Sequence, residues 1–330
     1  MKILIVTDAW KPQVNGVVRT LETTILTLQS MGHQVEVISP FGFPSIPCPT
    51  YKEISLTWSP FKVVKQIIER CEPDAIHIAT EGPLGWAARR YCKRKQIKFT
   101  SSFHTQFPEY IQARTHFPTS LSYKILRRFH SLAQHVMVTT GSMEKKLQKV
   151  GFKNLIKWSR GVDTTLFCPQ PRSFSTSQPK LLYVGRVAVE KNLEDFLDMS
   201  LDAVKIVVGD GPQRKSLQQK YPDVLFTGNK FGHELTHYYS MADAFVFPSR
   251  TDTFGLVMLE ALACGTPVAA YPVEGPIDVI QTNDVGALDW NLKNATLMAL
   301  RKSRKSCREY ASQFSWEKCT HQFLSNLINV

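Results

Sequence analysis

Two carboxylates, Asp252 and Glu260, lie in the stretch TDTFGLVMLEALACGTPVAA, residues 251–270. The apolar run over residues 256–263 predicts a helix that begins near Gly255, so Asp252 precedes the helix and Glu260 falls in its second turn. A helix start offers unpaired N–H groups and partial positive charge, which suit a phosphate. Carboxylates only accept hydrogen bonds, so the acid pair suits sugar hydroxyls. The stretch therefore predicts a site for a phosphorylated, polyhydroxylated ligand.

Two cations follow the strand predicted at residues 180–184. Arg186 comes directly after Gly185, and Lys191 stands in the string EKN, at the predicted start of a helix. A guanidinium forks onto phosphate oxygens and an ammonium is a mobile point charge, so the two can neutralise a diphosphate without a metal ion. The alternative is a surface arginine and a lysine at a helix start, although lysine opposes the helix dipole there. For the two acids the alternative is a dipole-stabilising Asp and a solvated Glu.

The elements that must position these residues follow from an alternation of short apolar runs with amphipathic stretches. Strands are predicted at residues 2–6, 34–39, 75–79, 97–101 and 135–139, and again at 180–184, 204–208, 224–227, 244–248 and 268–270. The alternation restarts after CPQPRSFSTSQP, residues 168–179, which has no apolar periodicity and is the natural linker. The pattern predicts an α/β protein with two doubly wound parallel sheets and ligands at the carboxyl ends of their strands, in a cleft between the halves.

Composition narrows the class of protein. The 330 residues are 43% hydrophobic and 21% charged, which is ordinary for a globular chain large enough for two cores. No stretch of about 18 apolar residues is present to span a bilayer, and the start of the chain does not favour secretion. The seven cysteines lack zinc or disulfide spacings and predict reduced thiols in a cytoplasmic protein. Neither a G-x-G-x-x-G after a first strand nor a Walker A string occurs, which disfavours a dinucleotide-dependent dehydrogenase.

The net charge of +12 is confined to the first half of the chain. Residues 1–160 contain 23 Lys and Arg and 10 Asp and Glu, whereas residues 161–330 contain 17 and 18. The densest clusters are Arg89-Arg90 with Lys93-Arg94-Lys95, and Lys124 with Arg127-Arg128, all on predicted helices. Such a face can bind anionic lipid headgroups, at roughly 1 kcal/mol per basic residue, or nucleic-acid phosphates. A solvated basic face is the alternative.

Two further candidates lie in the first half. Gly16 closes the loop DAWKPQVNG after the first strand, and glycine permits close backbone approach to a ligand; the alternative is a plain turn glycine. His104 stands in the string SFHT at the end of the strand predicted at 97–101. A histidine at a carboxyl strand end is well placed for a site, although a single histidine is more often structural.

Taken in order, these strings resemble the retaining GT-B glycosyltransferases of family four. The stretch with Asp252 and Glu260 resembles the family's E-x7-E segment, with Asp where most members have Glu, and G-R-x4-K-N resembles its diphosphate clamp. The resemblance covers essentially the whole chain. It implies GT-B architecture, with two Rossmann-like domains and an interdomain cleft: an acceptor domain (1–165), a nucleotide-sugar domain (166–308) and a last helix (309–330) that crosses back onto the first domain.

The resemblance also implies roles. Asp252 hydrogen-bonds the transferred sugar, Glu260 holds the ribose, and His104 lies near the sugar. The implied catalytic residues are His104, Arg186, Lys191 and Asp252. The implied donor-binding residues are Gly16, Arg186, Lys191, Asn229, Lys230, Asp252, Thr253, Phe254, Gly255, Leu256 and Glu260. The loop with Asn229 and Lys230 meets the nucleotide base through its backbone, which leaves uridine and guanosine open. No metal and no cofactor are implied.

Two strings resemble the bacterial branch that mannosylates or glucosylates glycolipids and diacylglycerol: TEGPLGWAARR at residues 80–90 and EGPIDVI at 274–280. We therefore expect a retaining, metal-independent transfer of a hexose from a UDP- or GDP-sugar to a lipid acceptor. The enzyme would be cytoplasmic and peripheral on the inner membrane face, with its basic half on anionic lipid. The alternatives are a soluble sugar or polysaccharide acceptor, a nucleotide-sugar epimerase, and a non-catalytic nucleic-acid binder. No aromatic residues are interleaved with the basic clusters in a recognisable module, which disfavours the last.

Overall fold

The computed structural model describes residues 1–13, 15–48, 51–58, 60–172 and 177–330. These form two compact units, one of Met1–Ser159 with Trp316–Val330 and one of Arg160–Ser315. Each unit contains a six-stranded sheet of parallel strands, so the predicted α/β class with two doubly wound sheets is confirmed. Val14 of the predicted glycine loop and residues 173–176 of the predicted linker lie outside the described residues.

The first unit has the sheet order β2-β1-β5-β6-β7-β8, with β3 and β4 paired separately as an antiparallel hairpin. Its strands are β1 Lys2–Val6, β2 Gln34–Ile38, β3 Ser45–Cys48, β4 Tyr51–Thr57, β5 Ala75–Ile78, β6 Thr100–Phe103, β7 His135–Val138 and β8 Leu155–Lys157. Its helices are α1 Gly16–Ser30, α2 Phe61–Cys71, α3 Pro83–Lys95, α4 Phe107–Thr115, α5 Thr119–His130 and α6 Gly141–Lys149.

The second unit has the sheet order β11-β10-β9-β12-β13-β14. Its strands are β9 Lys180–Val184, β10 Val204–Val208, β11 Leu225–Gly228, β12 Ala244–Phe247, β13 Val268–Ala270 and β14 Gly286–Leu288. Its helices are α7 Leu193–Leu197, α8 Arg214–Lys220, α9 Gly232–Met241, α10 Leu256–Ala263, α11 Pro276–Val279, α12 Leu292–Ala299 and α13 Arg304–Ala311. The last helix of the chain, α14 Trp316–Asn326, belongs to the first unit.

Both sheets are covered on their two faces because successive strand residues point to opposite sides. In β1, Leu4 and Val6 pack in one apolar cluster with α2 and α3, whereas Ile3 and Ile5 pack in another with α1 and α14. In β9, Leu182 and Val184 pack with α10, and the alternate residues pack with α7 and α12. Strands buried on both faces leave function to the loops at their ends.

Several boundaries differ from the sequence prediction. Strand β6 begins at Thr100 instead of residue 97, because Gln96 adopts a left-handed φ of 57° and Ile97 N–H still donates to Cys92 O of α3. Lys191 ends a 3-10 turn, Val189–Lys191, and α7 starts only after the left-handed Asn192. The last helix starts at Trp316 instead of residue 309, because residues 309–311 end α13. Phe314, between the two helices, packs against Tyr310 of the second unit, with ring centroids 5.2 Å apart.

The described residues were searched for membrane-spanning helices, metal sites and disulfides. None of the described helices is both long enough and apolar enough to cross a bilayer. Within the described ranges, no three His, Cys, Asp or Glu side chains come together as a metal site. Within the part of the chain that the structure describes, Cys71, Cys92, Cys168, Cys264, Cys307 and Cys319 are not joined in disulfides. Burial is the main cause that raises the pKa of the thiols of Cys71 to about 11 and of Cys92 to about 12.

Candidate active site

The start of α10 is built around Gly255. Its φ is 85°, and a Cβ atom there would lie 2.7 Å from Met258 Cε and 3.1 Å from Phe247 Cζ. Both the left-handed backbone and the lack of space therefore require glycine. The first turn begins at Leu256 and carries no acidic residue, so only partial positive charge accumulates at this helix start.

Glu260 lies inside the second unit. Its side chain is only 4% exposed, and the Tyr239 hydroxyl donates a hydrogen bond of 2.8 Å to Glu260 Oε2. A solvated surface glutamate, the alternative that the sequence left open, does not fit this burial. A carboxylate has two oxygens with about four acceptor sites, so Glu260 can accept from more than one donor, and a ribose diol supplies such donors.

Lys191 and Asp252 form an ion pair, with Nζ and Oδ2 2.6 Å apart and both side chains about one sixth exposed, at 16% and 17%. Their loops are joined at two further points. Thr251 Oγ1 donates to Glu190 O at 3.3 Å, and Asn192 Nδ2 donates to Pro248 O at 3.3 Å. The cation and the acid that the sequence assigned to different parts of a ligand are thus held together. An ammonium has three donors, so pairing with Asp252 is compatible with donation to a phosphate oxygen.

Arg186 follows β9 and is half-buried. Its carbonyl oxygen accepts a hydrogen bond of 2.8 Å from the Tyr183 hydroxyl. The turn GDGP after β10 packs against this segment, because a Cβ on Gly209 would lie 1.9 Å from Gly185 O. The glycine is therefore needed for close backbone packing, which fixes the segment that carries Arg186.

The acid loop is supported by the string EGPIDVI. Gly275, with φ of 90°, lies so close that a Cβ there would be 3.1 Å from both Asp252 O and Phe254 O. Phe254 is 6% exposed and belongs to the apolar core, so its side chain anchors the loop. Among the residues expected at the nucleotide base, Asn229 is exposed and Lys230 pairs with Glu234 at 2.5 Å.

The two candidate residues of the first unit, Gly16 and His104, lie at a helix start and at a strand end. Gly16 is the first residue of α1, where the Asn15 side chain accepts hydrogen bonds from the N–H groups of Val17 and Val18, both at 3.0 Å. Gly16 therefore begins a capped helix, instead of ending a loop as the sequence suggested. His104 follows β6 directly, is 8% exposed, and its ring lies edge-on to Trp158 at 5.6 Å.

The sequence interpretation missed Asp8, which follows β1. Its carboxylate accepts hydrogen bonds from Thr80 Oγ1 at 2.9 Å and from Leu84 N–H at 2.8 Å and Gly85 N–H at 3.3 Å, at the start of α3. Burial raises the pKa of Asp8 to about 6, although these hydrogen bonds act in the opposite direction. The only sequence signal was an acid two residues after an apolar strand. Tyr239 gave no signal, since its helical position resembles any packing residue.

Two family models and several known proteins are similar to this chain. The family model described as Glycosyltransferase Family 4 matches residues 14–166, and the model described as Glycosyl transferases group 1 matches residues 178–299. A GDP-mannose-dependent alpha-mannosyltransferase of Corynebacterium glutamicum is 30% identical over 87% of this chain and 76% of its own length. The chain belongs to glycosyltransferase family 4.

Two other relatives of this family 4 glycosyltransferase carry different names. The sulfoquinovosyl transferase SQD2 of Arabidopsis thaliana is 29% identical over 93% of the chain and 69% of its own length. An alpha-monoglucosyldiacylglycerol synthase of Streptococcus pneumoniae is 26% identical over 91% and 78%.

Solved structures give the fold. Sucrose-phosphate synthase from Thermosynechococcus elongatus superposes with a TM-score of 0.77 at 22% identity, covering 98% of this chain and 97% of that one. HepE of Anabaena, solved with UDP and glucose, gives a TM-score of 0.71 at 15% identity and covers 98% of both chains. The predicted GT-B fold is confirmed.

Proposed function

We propose that this chain is a retaining hexosyltransferase that moves a hexose from a UDP- or GDP-linked sugar to a hydroxyl group of a lipid acceptor. The observation that carries the proposal is the 2.6 Å ion pair between Lys191 and Asp252, on loops that adjoin the start of α10. Arg186 on the loop after β9 and the buried Glu260 complete the set. Cations for a diphosphate and carboxylates for hydroxyls are the groups that a nucleotide sugar requires.

In the proposed reaction the bond between the sugar C1 and the diphosphate oxygen breaks. A bond from C1 to the acceptor oxygen forms on the same face, and the acceptor proton passes to the departing diphosphate. Arg186, Lys191 and the N–H groups at the start of α10 stabilise the charge on this leaving group. One well-placed donor of this kind contributes about 3 to 4 kcal/mol to transition-state stabilisation. The side chains supply the positive charge, so the proposed mechanism assigns no step to a metal ion.

The remaining proposed roles follow the chemistry of each group. Asp252 accepts hydrogen bonds from the transferred sugar, and Glu260, oriented by Tyr239, accepts them from the ribose. His104 lies near the transferred sugar, the loop with Gly16 faces the donor diphosphate and the acceptor, and the backbone around Asn229 contacts the base. The C-terminal unit is then the nucleotide-sugar domain and the N-terminal unit the acceptor domain.

The lipid acceptor is supported by the surface of the first unit. Arg89, in the middle of α3, donates to Phe129 O at 2.7 Å and to Arg128 O at 2.6 Å at the C-terminal end of α5, so the two helices are in contact. Each helix carries basic residues in its last turn. The outer face of α5 also exposes Leu121 and Ile125, at 45% and 48%. Basic residues beside exposed apolar ones are typical of a peripheral contact with anionic lipid. The streptococcal relative is named for a glucosyldiacylglycerol product, which agrees with this proposal.

The test is transfer to diacylglycerol in anionic vesicles with UDP-glucose, UDP-galactose or GDP-mannose as donor. We expect release of the nucleoside diphosphate and a glycolipid whose anomeric configuration, read by NMR, equals that of the donor. Lys191→Ala should lose the activity, whereas Lys215→Ala, an exposed lysine on α8, should keep it. Wild-type protein that neither transfers nor hydrolyses any nucleotide sugar would contradict the proposal.

Vesicle flotation separates the lipid acceptor from a soluble one. We expect binding to anionic vesicles at low salt that weakens at high salt, because exposed charges are screened. Lys124→Glu with Arg128→Glu should abolish it, and the matched double change Lys215→Glu with Lys293→Glu in the second unit should not. Transfer to soluble sugars without flotation would favour the soluble-acceptor alternative.

A further inference from the structure

The structure assigns Asp195 as a positioning residue that holds Lys191 and Asp252 at their working distance. The inference rests on the proposed function, in which Lys191 binds the donor diphosphate. Asp195 lies on α7 and accepts hydrogen bonds from Asn192 and Arg250. It acts through their chain neighbours, Asn192 and Arg250.

Three donors converge on a single oxygen of Asp195. Oδ2 accepts hydrogen bonds from Asn192 Nδ2 at 2.5 Å, from the Tyr271 hydroxyl at 2.6 Å and from an Arg250 guanidinium nitrogen at 2.8 Å. Arg250 also lies over the Tyr271 ring, 4.5 Å from its centroid. The donors come from the loop after β9, the loop after β12 and the end of β13, so one carboxylate joins three strand ends.

Two of these donors are close in sequence to the ion pair of Lys191 and Asp252. Asn192 is the residue after Lys191, and Arg250 lies two positions before Asp252. Asn192 adopts a left-handed φ of 54° and also donates to Pro248 O, so its side chain spans the two loops. Displacing Asn192 or Arg250 must therefore change the separation of the ammonium and the carboxylate.

Stability alone gives a weak reason for this network. The Arg250 and Asp195 side chains are 54% and 34% exposed, and exposed ion pairs contribute little to the free energy of unfolding. Burial alone would raise the pKa of Asp195, yet the hydrogen bonds from Tyr271 and Asn192 and the charge of Arg250 lower it. The carboxylate is thus held ionised and oriented at a partly exposed position, which suits positioning.

The test is a double-mutant cycle on binding of UDP and GDP, measured by calorimetry with the full chain. We expect Lys191→Ala to weaken binding roughly tenfold and Asp195→Ala roughly fivefold. In the Lys191→Ala background, Asp195→Ala should weaken binding by less than about twofold, because its effect passes through Lys191. Asp198→Ala is the matched control: Asp198 is the C-cap residue of the same helix, and its carboxylate accepts from the Tyr221 hydroxyl at 2.6 Å, away from both loops.

Arg250→Ala keeps the proposal testable if Asp195→Ala does not fold, since Arg250 is half exposed. It should reproduce the loss of affinity, and Arg250→Lys, which can still reach Asp195, should restore most of it. Normal affinity in Asp195→Ala, or losses that multiply fully in the double variant, would overturn the positioning role while leaving the proposed function intact. Wild-type protein that binds neither nucleotide would overturn the proposed function and this inference with it.

Discussion

Both units have a helix start at the carboxyl edge of a parallel sheet, but the polar groups beside that helix start differ between the units. In the first unit the buried Asp8 carboxylate accepts hydrogen bonds from Leu84 N–H and Gly85 N–H at the start of α3. In the second unit α10 starts after Gly255 with no acid in its first turn, and the nearby charges pair with each other. A helix start is an anion site only if the protein has not already supplied the anion.

Asp8 is buried, whereas the charged groups near α10 are partly exposed. Burial holds the pKa of Asp8 at about 6, so this carboxyl is protonated more readily than an ordinary aspartate. Lys191 and Asp252 are partly exposed and form an ion pair with each other. We therefore expect the polar groups at the first edge to stabilise the fold and those at the second edge to bind a ligand. Changes at the second edge should affect activity, and changes at the first should affect folding.

The largest expected effect is on transfer by Arg186→Ala. Loss of one donor to the leaving group should lower kcat by about 100- to 1000-fold, roughly 3 to 4 kcal/mol, with the fold retained. The control Arg301→Ala removes an exposed arginine of the same unit and should leave kcat unchanged. Near-normal turnover by Arg186→Ala, in protein that circular dichroism shows to be correctly folded, would contradict the proposed role of Arg186 in binding the diphosphate.

The pH dependence of stability tests the state of Asp8. Its pKa is about 6 in the folded chain against 3.8 for an ordinary aspartate, so between these pH values the folded chain keeps a proton that the unfolded chain has lost. The free energy of unfolding from this group therefore falls as pH rises from about 4 to 6, by roughly 3 kcal/mol, and is constant above. Asp8→Asn should abolish this fall in urea unfolding. Parallel pH curves for the variant and wild type would show that Asp8 titrates normally.

Gly82→Ala tests how tightly the first edge is packed. A Cβ on Gly82 would lie 2.3 Å from Asp8 Cγ, whose carboxylate is fixed by several hydrogen bonds, so we expect destabilisation of about 2 to 3 kcal/mol. Gly232→Ala is the matched control, because a Cβ there meets nothing within 4 Å and only the left-handed φ of 54° costs about 1 kcal/mol. Equal thermal stability of the two variants would contradict the close packing at Asp8.

The smallest effect is expected at Tyr239. Tyr239→Phe removes the donor to Glu260 and should destabilise the chain by about 1 kcal/mol. It should also weaken binding of UDP or GDP a few-fold, because Glu260 loses its orientation. Tyr238→Phe on the same helix serves as control in calorimetry and thermal unfolding. Unchanged affinity of Tyr239→Phe for UDP and GDP would contradict the proposed contact of Glu260 with the ribose.

Much of the fold was predictable because periodicity and turn chemistry are local. The strands, the helix start near Gly255 and the two-sheet class followed from apolar runs and glycine positions. The strands β8 and β14 and the β3–β4 hairpin were missed, since they are short and their pairing is set by neighbours distant in sequence. The start of β6 was placed too early because Gln96 takes a left-handed conformation that composition does not reveal.

The sequence by itself determined the fold class, the family and which residue types stand at the strand ends, because these depend on spacing along the chain. Only the tertiary structure decided that Lys191 pairs with Asp252 across 61 positions, and that Tyr239 reaches Glu260 across 21. It also joined Asp8 to the start of α3 and Asp195 to three strand ends. Such partners meet only after the sheets assemble, and no local pattern encodes which of many polar side chains will face each other.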